Sequence, residues 1–400
     1  MLFPLTTPAA PTWLAALLTA LHLAPAPPTA TLTVRNSLAE ARPAETVSLP
    51  LAQLPAALRG VEAYKLRVRD AGGRVLLSQT FDSDGNGQPD ELLFQVALAA
   101  KDSQKLTVDG SAADLPPSPL TTYARFVPER TDDFAWENDR VAFRTYGPNA
   151  QELYDKKDPA GTLSSGMDCW LKRVPYPIID RWYGRHQYEK PFAYHTDQGE
   201  GNDPYHVGSS RGIGGTGVLA GGKLYTSRNF TSYKIRALGP IRTVFELTYA
   251  PYDAAGQSIT ETKRISLDLG SNMTRFEEHI ASSGTLPNCT IGLTLHEAKG
   301  EVKADRPAGW FRYWETMEGS NLGTGVVVPA SYLTDYQDHR SAEKDANQLY
   351  MVTKPEQGTV VFYAGFGWQK SGQFATAAAW DTYLAGFARR VAAPLQVSMQ

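Results

Sequence analysis

The 400-residue chain has only two cysteines, no sizeable excess of either charge and, beyond its first thirty or so residues, no long apolar run. Each scarcity excludes something. Cys169 and Cys289 fit no zinc cluster or redox motif, which leaves one long-range disulfide or two separate buried thiols as the readings. With 39 Lys+Arg against 42 Asp+Glu the formal net charge is −3, which gives a nucleic-acid backbone nothing to hold, so no nucleic-acid partner is expected. No later segment is apolar enough to cross a bilayer, and the mature chain is expected to carry no membrane span.

Charge is missing altogether before Arg35. Within that stretch Trp13–Leu23 is an apolar run too short to span a membrane. It is followed by Ala24-Pro-Ala26 and Thr29-Ala30, small residues of the kind that precede a signal-peptidase cut. Residues 1–30 therefore read as an export signal, without the usual basic start, and the protein is expected to be secreted or periplasmic.

What the chain has in quantity is glycine (34), proline (27), tyrosine (19) and tryptophan (8), the mark of a turn-rich, mainly β protein. Its length exceeds one comfortable core, so two units are expected. Over 31–115, short alternating stretches such as Thr31–Arg35, Thr46–Pro50, Glu91–Val96 and Lys105–Val108 predict a small N-terminal β-sandwich. The Pro-rich Ala112–Pro119 reads as a linker. The second unit, 120–400, starts with a Gly- and aromatic-rich section and continues after Gly222 with long strands, in which Ile241, Thr243, Phe245, Leu247 and Tyr249 share one face. Trp380, Leu384, Phe387 and Val391 recur at helical spacing near the end and predict a helix packed on a sheet.

Four constellations offer chemistry. Asp82, Asp84, Asn86 and Asp90 place oxygens at the spacing of a tight calcium loop between strands, although position twelve is Leu93 and not the EF-hand glutamate; a structural Ca2+ and a bare hairpin turn are both open. In 192–215, His195, Asp197, Glu200, Asp203, Tyr205, His206 and Arg211 crowd into Gly-rich chain and supply groups that titrate near neutrality, phenols and a carboxylate-gripping cation. In 128–148, interleaved acids and bases suit ion pairs that brace a sheet edge, while Trp136 beside Glu137 and Asp139 also suits a sugar platform. Lastly, Asn272–Ala281 and Cys289–Glu297 read as a hairpin whose parity puts Arg275, His279 and His296 on one polar face, and Trp314 in 310–315 offers a further stacking surface.

The motifs Pro-Glu-Arg-Thr-Asp-Asp-Phe-Ala-Trp-Glu-Asn-Asp-Arg (128–140), Tyr-His-Thr-Asp-Gln-Gly-Glu-Gly-Asn-Asp-Pro-Tyr (194–205) and the strand pair around 265–272 resemble a family catalogued as domain of unknown function 4861. The resemblance runs from about Thr31 to the C-terminus. It implies secreted bacterial proteins linked to breakdown of plant and algal polysaccharides, and a large antiparallel β-supersandwich like that of galactose mutarotase, with few helices. No residue role comes with it, and fold likeness does not choose a reaction.

The leading expectation is an exported carbohydrate-active enzyme acting on an acidic poly- or oligosaccharide. For a β-eliminating lyase, Arg211 or Arg275 would neutralise the uronate, His195 or His296 would take the C5 proton, and Tyr205 would protonate the leaving oxygen. A glycoside hydrolase would draw two carboxylates from Glu137, Asp139, Asp197, Glu200 and Asp203. A mutarotase-like epimerase would need a His and a Glu on one small pocket, from His279, His296 and Glu297. A saccharide-binding protein without catalysis is the alternative of a different class.

Overall fold

The computed structural model describes residues 26–399, so most of the expected export signal lies outside the described residues. Antiparallel pairing dominates, and the described helices are few, as the sequence predicts. Leu32, Val34, Val47, Leu49, Leu106 and Val108 alternate with polar neighbours along their strands, and with Leu92 and Phe94 they close into the core of the small N-terminal sandwich. One of its sheets has four strands and the other three. The last strand of the four-stranded sheet comes from the far end of the chain: Gln396–Met399 lies against Thr29–Arg35, with Leu32 opposite Met399. The span 120–400 therefore lends its final strand to the small unit.

The large unit opposes a nine-stranded antiparallel sheet with two five-stranded ones. Its main core lies between them, from Phe245, Leu247, Ile265 and Phe276 on the large sheet to Ile291, Leu293 and Met351 on the facing one. The outer face of the large sheet is covered by the predicted helix, Ala377–Ala392, whose Trp380 and Leu384 pack against Trp310 and Val327. Asp381 ties that helix down through Arg312 (2.8 Å) and Lys303 (2.8 Å). A further helix, Ile179–Tyr188, covers the first five-stranded sheet with Trp182 and Tyr183.

One expected pairing does not form. Met273–Ser282 pairs with Gln257–Asp268 and Thr359–Trp368 inside the large sheet, whereas Cys289–Thr294 crosses to the opposing sheet, between Ile213–Ala220 and Gln348–Thr353. Residues 283–288 are thus a crossover between layers and not a hairpin turn, and Arg275 and His296 do not share a face. Cys169 and Cys289 are both buried free thiols.

Candidate functional site

The first five-stranded sheet sets Asp133–Glu137, Ala142–Thr145, Asp168–Lys172 and Gly201–Asn202 side by side. Register puts Arg144 opposite Asp168, and side chains opposite one another across a sheet meet on one face. Arg144 Nε donates to Asp168 at 2.7 Å and Nη2 to Asp203 at 2.8 Å, while Asp133 stands 3.6 Å away. All four are buried. Tyr146 and Tyr183 donate to Asp168 and Asp133. Burial raises Asp203 well above the usual carboxylate range against the pull of Arg144, and pushes Asp133 up to about 6.

From this hub the loop 194–211 runs across the end of the layers. His195 is half exposed and its Nδ1 lies 2.9 Å from the Asp203 carbonyl. The Asn202 amide reaches Glu318 at 2.6 Å. Tyr205 packs edge-on against His296, with ring centres 4.6 Å apart. His296 takes a left-handed backbone (φ 46°) just past the strand Cys289–Thr294, a conformation histidine tolerates better than most residues. That turn sets its Nδ1 2.7 Å from Glu315 and its Nε2 3.0 Å from the His206 carbonyl. His206 meets Asp345 at 3.1 Å across Gly208, where an added Cβ would fall 2.0 Å from the Asp345 carboxylate.

Several expected residues thus meet in two groups, His195 with Asp203, and Tyr205 and His206 with His296. Others do not. Trp136 is wholly buried, stacked on Phe143 with its indole N–H on Thr274, because the large sheet lies directly over it; it is no sugar platform. Glu137 is buried on Lys172 (2.7 Å) and accepts the N–H groups of Ile178 and Ile179, fixing the start of a helix. Asp139 accepts the Gly270 N–H, and Asp197 accepts those of Gly199 and Gly201 while pairing with Arg173. Glu200 is held by Tyr176, Arg181 and Trp182. Arg275 and His279 stand on the outer face of the large sheet around Glu277, facing away from the cluster. Trp314, on that same outer side, packs into the layer under the C-terminal helix. The Tyr205 hydroxyl points inwards beside Thr294 without a partner of hydrogen-bonding geometry, and burial raises it well above the usual phenol range. Arg211 is buried elsewhere, on Ser165 and the Ser209 carbonyl.

The residue the sequence reading passed over is Glu315. Along Trp310–Met317 the register places Phe311, Tyr313 and Glu315 on the inner face and Trp314 on the outer, so strict alternation would have chosen the glutamate over its tryptophan neighbour. Far from here, Asp82, Asp84 and Asp90 offer carboxylate oxygens within 4.8 Å of one another, a donor set that suits a hard cation. Asp82 already accepts the N–H groups of Gly85, Asn86 and Gly87, and Asp90 that of Ser83, which accounts for the loop as a closed turn.

A second buried polar group sits on the inner face. Lys263 lies 3.1 Å from Glu261 and 2.7 Å from Glu278, all three without exposure. Two carboxylates share one ammonium, and burial, with Glu261 adding to it against Lys263, pushes Glu278 up to about 7 from 4.5. A raised folded-state pKa gives stability that is fully present below pH 4.5 and is lost as pH rises through about 7. Glu278→Gln should therefore flatten the fall in unfolding free energy between those pH values by about 3 kcal/mol. Denaturant titrations across that range check this, and parallel wild-type and variant curves would refute it.

The fold and cluster define a mainly antiparallel β protein with histidine–carboxylate pairs at one end of its layers. The chain belongs to the family described as domain of unknown function (DUF4861), which matches residues 34–397, as the motif resemblance implied. It is 43% identical over 375 residues to "Uncharacterized protein P7" of Formosa agariphila, covering 92% of this chain and 93% of that one. Solved structures similar to it include a protein in the glycosyl hydrolase family 38 from Enterococcus faecalis (TM-score 0.49, 10% identity, 93% of this chain and 47% of that one). An alpha-mannosidase from Enterococcus faecalis V583 is similar too (TM-score 0.44, 9% identity, 93% and 46%). The chain spans about half the length of each of these two structures.

Proposed function

We propose that the protein is an exported carbohydrate-active enzyme that moves protons on a sugar held against His296 and Glu315, in the manner of an aldose epimerase. The observation that carries this reading is the pair itself, 2.7 Å apart, with side-chain exposures of 14% and 10%. Both ring nitrogens of His296 face acceptors, one a carboxylate and one a carbonyl, so each is suited to carry a proton. The ring is then the proton donor and Glu315 the acceptor. Opening a pyranose requires both: His296 delivers its Nδ1 proton to the ring oxygen as C1–O5 breaks, and Glu315 takes the proton of the anomeric hydroxyl as C1=O forms. Rotation about C1–C2 and the reverse transfers give the other anomer and restore both groups.

Beta-elimination has less support, because the Tyr205 hydroxyl and the Arg211 guanidinium, two of its three roles, are buried apart. Proton NMR on a panel of reducing sugars and uronic-acid oligosaccharides separates the readings. Faster exchange between anomers is the expected result. New alkene signals would point to a lyase, new reducing ends to a hydrolase, and binding without turnover to a lectin-like protein; any of these without catalysed exchange overturns the proposal.

Export belongs to the same reading. Thr29 and Ala30 already pair with Asp109 and Val108, so a cut after Ala26 leaves the first strand whole, and sequencing the mature amino terminus tests it.

A further inference from the structure

A cleft of about 560 Å³ opens on the small sandwich, between the connection 51–66 and the turn 82–90 that leads into the strand Glu91–Leu98. That is the size of a small-molecule or short-oligosaccharide site. None of its lining residues belongs to the histidine pairs of the large unit. Its floor is the margin of the small core, where Leu58 is buried and Val61 packs on the same cluster. Its rim carries Tyr64, 65% exposed and the one exposed aromatic among the described residues of the small unit. A single exposed aromatic is ordinary, but this ring is fixed in place. Its hydroxyl donates to Glu62 at 3.1 Å, and Lys65, which pairs with that carboxylate, stands 5.4 Å from the ring centre on one side. The exposure leaves the other side open.

Arg59 and Gln88 give the cleft its donors. Among the described residues neither side chain has a hydrogen-bond partner or a paired charge, and Gln88 is presented from the closed turn by its own N–H on Asn86. Glu62 and Asp90 are the acceptors, Asp90 being steadied by the Ser83 N–H and hydroxyl at 2.7 Å each. One cation therefore faces two carboxylates, and Asp82 and Asp84 bring further carboxylate oxygens within 4.8 Å of those of Asp90. Such a balance offers an anion no net attraction. An uncharged sugar ring matches it better, because its C–H face packs on an aromatic while its hydroxyls both give and take hydrogen bonds. Both carboxylates are already engaged, so the cleft holds no acid–base pair poised for chemistry.

We propose that this cleft is a second, non-catalytic saccharide site, which holds neutral sugar units of a polysaccharide against Tyr64 while Arg59 and Gln88 donate to their hydroxyls. The site stands on its own residues; that it serves an enzyme rests on the reading above. Holding the chain to a polymer raises the effective concentration of sugar at His296 and Glu315.

Affinity electrophoresis of the full chain tests this, through gels containing arabinoxylan, galactomannan or laminarin, which are neutral, and alginate or polygalacturonate, which are acidic. Tyr64→Ala is run beside Tyr154→Ala, a matched change at a 50% exposed tyrosine on the helix Pro148–Asp155 of the large unit. Both side chains are exposed, so both variants should fold. The expected result is that at least one neutral polymer retards the wild type and Tyr154→Ala alike, with an apparent affinity at least about tenfold lower in Tyr64→Ala. Four outcomes overturn the proposal: no retardation by any neutral polymer, retardation by the acidic polymers only, undiminished retardation of Tyr64→Ala, or an equal loss in Tyr154→Ala. Retardation of a wild type that catalyses no anomer exchange would sink the epimerase reading and leave this site standing.

Discussion

Replacing Arg144 by methionine is expected to cost about 3–5 kcal/mol of unfolding free energy, because it strands buried carboxylates that it now neutralises. Asp168 and Asp203 lie at 2.7 and 2.8 Å from it and Asp133 at 3.6 Å, with Arg130 the other cation near Asp133. The sign of the pH dependence makes the cause identifiable. Without the guanidinium the aspartates are driven further above their unfolded-state values, so the folded variant binds protons more tightly than the unfolded chain and gains stability as pH falls. The deficit should be largest near neutrality and shrink steadily on acidification. Equilibrium denaturation of both proteins at several pH values reads this directly. A deficit that stays constant with pH would mean that lost packing against Trp170, Tyr146 and Tyr194, whose rings lie under the guanidinium, is the larger effect.

This hub also shows where sequence reading reaches and where it stops. Alternation identified the strands of the small sandwich to within a few residues, and helical spacing found Ala377–Ala392, because in each case one apolar face meets one core. The crowding in 192–215 singled out the stretch in which His195 meets Asp203 and Tyr205 meets His296, since histidines in irregular chain have little packing reason to be there. What the sequence hid is which sheet a strand joins. Met273–Ser282 and Cys289–Thr294 are neighbours in the chain, and either a hairpin or a crossover satisfies their alternation. Arg275 and His279 do share a face as their parity predicts, but only the assembled layers reveal that this face is the outer one, that His296 is not on it and that Glu278 faces inwards. Trp136 fails for the same reason: an aromatic beside two acids is a sugar platform on an open sheet and core under a second sheet. Asp168 had no local signal, being one carboxylate in an apolar run, and it acquires its role from the strand alongside.

Glu315→Gln is expected to lower the rate of catalysed anomer exchange by about 10²–10⁴-fold, the range that positioned acid–base groups contribute. The substitution keeps the geometry that matters for folding. The His296 Nδ1–H can donate to an amide oxygen as it does to the carboxylate, so the loop 194–211 keeps its anchor, and exchanging a charge-assisted hydrogen bond for a neutral one in this mostly buried pair should cost about 1 kcal/mol. What is lost is the ability to accept the anomeric proton. Sugar affinity should therefore survive while turnover falls, a split that a merely structural role would not produce. His296→Gln should show a loss of similar size, and the double variant little more, because donor and acceptor act in one transfer. His279→Gln, on the outer face beside Glu277, is the matched control and should leave the rate unchanged. A Glu315→Gln enzyme within about threefold of wild type would remove the pair from the chemistry. The exposed His195, whose Nδ1 is held by the Asp203 carbonyl, would then be the next group to test, because its other ring nitrogen remains free to meet a sugar.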